Sequence, residues 1–118
     1  MVTAYVEFST PIDDYCEAKA FHFGMASSPF AGGATGKAQP NDFQFTKNVD
    51  SLSPSLFQQV CSGRVFDTVW FEMYRGDDEN PYVTYTMSSV VISTLHTAGN
   101  IEHVGLNFKA VKVAWAGR

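Results

Sequence analysis

"FDTVWFEMYRGDDENPYVTYTMSSVVIST", residues Phe66–Thr94, reads as two strands joined by a polar turn, and the place where its alternation fails decides the fold. Side chains two apart share one face of a strand. Val69, Phe71 and Met73 therefore line one face, "RGDDENP" (Arg75–Pro81) turns the chain, and Val83, Tyr85 and Met87 return on that same face. From Met87 the next apolar residue is Val90, a step of three, so Val90 and Ile92 stay inward only where the strand bulges or bends. The last strand repeats the slip: Val104, Leu106 and Phe108 alternate, and Val111, Val113 and Trp115 continue after a three-residue step. Two long strands with matching slips predict strands that turn a corner, as in a β-barrel or an orthogonal sandwich.

Outward from this hairpin, period two continues. Val2, Ala4, Val6 and Phe8 alternate with polar neighbours until Pro11 ends the strand. A loop with Asp13 and Asp14 leads to "KAFHFGMAS", where Phe21 and Phe23 flank His22 and Gly24 marks a bulge or close backbone approach. "NDFQFTKNV" alternates through Phe43, Phe45 and Lys47, which makes three strands before any helix. The helix signal is "DSLSPSLFQQVCSGR", with Ser53 as cap, Pro54 at the first helical position and Gly63 at the exit. Leu56, Phe57, Val60 and Cys61 share a face by the three-to-four spacing, so Cys61 reads as a packed thiol. The expectation is one mainly-β domain over residues 1–118 with a short helix at about Pro54–Ser62.

Composition excludes several functions. Hydrophobic residues at 45% and charged residues at 17% rule out a disordered chain. A net charge of -4 and a pI near 5.1 leave no basic footprint for nucleic acid, and no Lys or Arg block marks a membrane surface. The start "MVTAYVEFST" alternates where a leader would be continuously apolar, so the expectation is a chain made in the cytoplasm and exported, if at all, without a cleaved signal peptide. No stretch reaches the ~18 apolar residues of a membrane span, so membrane insertion is not expected.

Candidate chemistry is thin. "AGGATGKAQP" (Ala31–Pro40) approaches a phosphate-binding loop, but the first glycine is out of place and Ala38 stands where a metal-binding hydroxyl is needed. Asp77, Asp78 and Glu79 lack the alternating ligand spacing of a calcium loop and read as a solvated turn. His22, His96 and His103 sit at no metal spacing, and Cys16 and Cys61 form no C-x-x-C pair. Neither a cofactor nor a metal is expected. Trp70, Tyr74, Tyr82 and Val91 lie opposite the inferred core, which implies cover by the helix, by a loop or by another subunit.

Several segments in order, "AYVEF", "HFGMASS", "GGATGKAQPNDFQFTKNVD", "SPSLFQQVCSGR" and "VGLNFKAVKVAW", resemble the Hcp family (haemolysin-coregulated protein), tube-forming proteins of bacterial type VI secretion systems. The most specific are "FTKNVD" running into "SPSL", similar to the family's F-T-K-x-x-D-x-x-[ST]-P-x-L, and the "LNFKAVKVAW" ending. The resemblance implies a β-barrel of two packed antiparallel sheets with a flanking helix, assembled as a homohexameric ring whose copies stack into a tube. It further implies a tube driven by a contracting sheath, with spike and baseplate partners, released by the cell and able to hold effector cargo. It carries over no catalytic residue, so an enzyme is not expected. The family's long loop toward a neighbouring subunit matches Ser27–Lys37, which makes Pro29, Phe30 and Lys37 the candidate oligomer contacts. The loops "TPIDDYCEA" and "HTAGNIEH" are shorter than their family counterparts, which keeps a tail-tube subunit of a related contractile injection device in view. The competing reading is a monomeric barrel with a small ligand or peptide in its mouth.

Overall fold

The computed structural model describes residues 2–24 and 41–116. The elements run β1 (Val2–Phe8), β2 (Asp14–Ala18), β3 (Ala20–Gly24), β4 (Asn41–Asn48), α1 (Ser53–Ser62), β5 (Val65–Arg75), β6 (Val83–Ala98) and β7 (Ile101–Trp115). The strands join antiparallel in one sheet ordered β2-β1-β5-β6-β7-β4-β3. Four strands, not three, therefore precede the helix. The segment read as a loop after Pro11 contains β2, whose alternation amounts to only two inward residues, Cys16 and Ala18.

The corner is real and crosses three strands. Phe66, Val90 and Phe108 are cross-strand partners, and so are Val69, Met87 and Val111. Each strand thus places two exposed or half-exposed residues between inward ones: Asp67 and Thr68, Ser88 and Ser89, Lys109 and Ala110. The pairing register is the same on both sides, so the sheet folds along a crease without losing its ladder. Ser89 carries the bend on β6 with φ 53°, a left-handed conformation uncommon for a residue with a Cβ. On one side of the crease β1 and β2 extend the sheet, and on the other β4 and β3 do. The two halves pack face to face: Phe71 on β5 meets Phe43 on β4 at 4.8 Å between ring centres, and Phe23 on β3 meets Tyr85 on β6 at 4.7 Å. The expected two packed layers are thus the halves of one folded sheet. Its edges are linked where the Lys19 N–H, between β2 and β3, donates to the Thr46 carbonyl at 2.8 Å.

A true bulge lies further along β6, where Ile92 pairs with Leu106 but Thr94 pairs with Gly105. The extra residue, Ser93, donates its hydroxyl to the Gly105 carbonyl at 3.1 Å. Gly105 is buried against this bulge, and a Cβ there would collide with Thr94 Oγ1 and crowd Ser93 Oγ.

The helix ends as its sequence predicts and begins differently. Gly63 takes φ 67° and its N–H donates to the Val60 carbonyl at 3.2 Å. Leu52 is the N-cap and Ser53 is the first helical residue, so Ser53 does not cap the helix. Its hydroxyl instead accepts from the Asp50 N–H at 3.0 Å and donates to Glu102 Oε1 at 2.8 Å. Leu56 is fully buried and Val60 packs on the core, whereas Phe57 is 47% exposed and Cys61 is exposed. The apolar face of so short a helix is one residue narrower on each turn than its spacing suggests, and Cys61 is not a packed thiol.

Beneath the helix start lies a buried ion pair. Lys47 and Glu102 both occupy inward positions of their strands, with 0% and 1% exposure. Lys47 Nζ donates to Glu102 Oε1 at 2.6 Å, to Asp50 Oδ1 at 2.9 Å and to the Asn48 carbonyl at 3.0 Å. Asp50 also accepts from the Leu52 N–H at 3.0 Å. Burial alone would lower the Lys47 pKa, but the hydrogen bonds to Glu102 and Asp50 outweigh it and raise the pKa. A lysine with a raised folded pKa contributes stability that is complete below its unfolded value and lost as pH rises through the folded one. The pair is therefore at full strength at neutral pH.

Three outcomes follow from these contacts. Gly105→Ala should destabilise the chain by about 1–3 kcal/mol in urea unfolding, and adding Thr94→Ala should restore most of the loss. Lys47→Met leaves the Glu102 carboxylate buried without its cation and should cost about 3–5 kcal/mol, while Lys47→Met with Glu102→Leu should cost far less. Burial pushes the Cys16 thiol up to about 12, against a smaller opposing pull from Lys47, so a thiol reagent at mild alkaline pH should label Cys61 alone in the native chain and both cysteines in denaturant.

Candidate functional site

Among the described residues no cluster of three or more His, Cys, Asp or Glu is arranged to hold a metal ion. The features with functional content are outward surfaces. The clearest is the second half of β7. β4 pairs with β7 only as far as Phe108, so among the described residues Ala110–Trp115 is bonded on one side, to β6, and open on the other. Val113 and Trp115 keep the phase of the core face, yet they are 54% and 62% exposed, and among the described residues the core packing on β7 ends at Val111. Sequence reasoning placed both inward. Their phase was legible, but the length of β4 that decides their cover was not. An open edge carrying Val113 and Trp115 is a template for pairing with another chain.

This end of the sheet is braced. The Arg75 guanidinium lies 4.2 Å from the centre of the Tyr82 ring and 5.9 Å from that of Trp115, and Tyr82 meets Trp115 edge-on at 5.6 Å. The Tyr82 N–H donates to the Met73 carbonyl at 2.9 Å and the Ala116 N–H to the Tyr82 carbonyl at 2.8 Å. Trp115 is therefore presented in a fixed position rather than on a loose terminus.

A second surface lies on the outer face of β2, β1 and β5. Tyr5 meets Tyr15 at 5.5 Å and Tyr74 at 5.7 Å, both edge-to-face, and with Glu7 and Glu72 the three rings surround a hollow of about 440 Å³. The Tyr74 hydroxyl donates to Glu72 Oε1 at 3.3 Å, and burial followed by the Glu72 charge raises its pKa. A third surface holds a hollow of about 320 Å³ at the outer side of the crease between Val65, Val91, Phe108 and Lys109. Val65, Val91 and Asn107 are register partners there, and Val65 is 56% exposed.

Of the residues expected opposite the core, Trp70, Tyr74, Tyr82 and Val91 are all half-buried. For Tyr74 and Tyr82 the cover comes from neighbours on the sheet, Tyr5 and Arg75. Pro29, Phe30 and Lys37, the candidate oligomer contacts, lie outside the described residues, as does the glycine-rich Ala31–Pro40 stretch. Asp77, Asp78 and Glu79 are exposed in the β5–β6 turn, where the Asp78 N–H donates to the Arg75 carbonyl at 2.9 Å. No helix among the described residues is long and apolar enough to cross a membrane.

The fold is shared by solved structures of low sequence similarity. Hcp1 from Salmonella typhimurium superposes with a TM-score of 0.77 at 17% identity, covering 98% of this chain and 88% of that one. The cap that terminates the anti-feeding prophage tube superposes at 0.66 with 10% identity, covering 96% of this chain and 88% of that one. In sequence, protein hcp1 of Pseudomonas aeruginosa is 30% identical over 85 residues, which cover 65% of this chain and 52% of that protein. The match thus spans about half the length of that relative. A family model described as "Type VI secretion system effector, Hcp" matches residues 10–115, nearly the whole chain, and the chain belongs to the Hcp family.

Proposed function

We propose that the chain is a structural subunit that pairs with further copies of itself into rings, and that the rings stack as the inner tube of a type VI secretion system. The observation that carries this reading is the apolar second half of β7, which among the described residues has an unpaired edge beside the exposed Val113 and Trp115. A strand edge of this kind is an aggregation hazard in a monomer, and a closed ring removes it. Family membership supports the same reading. The subunit acts by packing and not by catalysis. The stacked rings are pushed out and released, carry effector cargo in the lumen, and meet sheath, spike and baseplate proteins in the assembled machine.

Pro29, Phe30 and Lys37 belong to the neighbour-contacting loop in this proposal. Light scattering after size exclusion should give a mass that is a multiple of the 13.0 kDa subunit. Phe30→Asp with Lys37→Asp should return it to a single subunit with an unchanged far-ultraviolet spectrum. A wild-type chain that stays monomeric at high micromolar concentration contradicts the assembly, and variants of unchanged mass contradict that contact.

A further inference from the structure

We propose that His96 and His103 form a two-histidine site for a transition-metal ion of the Ni²⁺, Cu²⁺ or Zn²⁺ class. By sequence spacing alone these residues match no metal motif. The β6–β7 hairpin brings them together, because His96 and His103 are direct cross-strand partners near its turn, where Gly99 takes φ 65°. Opposed residues in an antiparallel pair project from the same face with Cβ atoms about 4.5–5.5 Å apart, which lets two imidazoles converge on one ion.

The ring geometry fits. The two ring centres are 5.6 Å apart with planes inclined at 51°, and both residues are exposed, so an ion can reach them from solvent. Zinc binds an imidazole nitrogen at about 2.0–2.1 Å, which puts it roughly 3.2 Å from each ring centre and, at this ring separation, gives an angle of roughly 120° at the metal. With a nitrogen of each ring turned toward the ion, that lies close to tetrahedral without moving either strand. The partners are also held. The register around them is set by the Ser93 bulge, and Glu102, next to His103, is fixed in the core by Lys47. Neutral imidazole is a ligand suited to zinc, copper and nickel and not to magnesium or calcium, which prefer oxygen. The protein supplies two ligands and water fills the rest of the shell. Bound there, the ion bridges β6 and β7 at the end of the hairpin and presents its open positions outward.

His22 tests whether the pair suffices, because it lies two strands away on β3 opposite Gln44 yet lines the same hollow as His103. Isothermal titration of untagged protein carrying Cys61→Ser with Ni²⁺ alone should show one equivalent bound. His96→Asn and His103→Asn should each abolish that binding, and His22→Asn should leave it intact. Circular dichroism checks that each variant is folded, and these exposed positions also accept His→Gln as a second substitution. No uptake by the Cys61→Ser protein overturns the proposal, as do isotherms unchanged in the His96 and His103 variants.

Discussion

The whole architecture depends on three strands changing phase at the same place. Because Phe66, Val90 and Phe108 are paired, and Val69, Met87 and Val111 are paired three residues later, the apolar face continues through the bend while the hydrogen-bonded ladder keeps its register. A slip in one strand alone would turn its side chains to the wrong face for the rest of its length. Shared by three, it folds one sheet over itself. The core between the halves then forms from Phe8, Phe43, Phe66, Phe71, Met87 and Leu106, all buried, each side chain of this size contributing roughly 1.5–3 kcal/mol.

Folding the sheet creates a problem at its second half, where the helix must be attached. The Lys47–Glu102 pair solves it by joining β4, β7 and the first turn of α1 through Ser53 and Asp50. Burying two charges is costly unless they are paired and hydrogen-bonded, and among the described residues no buried side-chain polar atom lacks a partner. This gives a physical reason for the run "FTKNVD" followed by "SPSL": the lysine, the aspartate and the serine each hold one corner of a single network. Among the described residues the same fold also leaves the end of β7 unpaired beyond the reach of β4, so the geometry that builds the subunit also produces the edge proposed to join its copies.

Much of this was legible in the sequence where period two was long enough to read. The slips from Met87 to Val90 and from Phe108 to Val111 stand out because each has three apolar residues before it and at least two after it. The matching slip from Phe66 to Val69 was hidden, since only one inward residue precedes it on β5. The Lys47–Glu102 pair left a signal: each is a charge in the core phase of an alternating run, Phe43-Phe45-Lys47 and Glu102-Val104-Leu106. Two such charges of opposite sign in different strands predict a partnership, though not the strand pairing that makes it. Exposure of Val113, Trp115 and Cys61 was not legible, because it depends on where β4 stops and how α1 is rotated. The approach of His96 and His103 depends likewise on the position of a hairpin turn.

The central claim is that the exposed apolar residues at the end of this folded sheet are covered by other copies of the chain. Electron cryo-microscopy of particles formed by the native protein tests it directly. The account predicts closed rings in which the second half of β7, with Val113 and Trp115, lies against a neighbouring subunit. Rings in which that strand remains in solvent would contradict it.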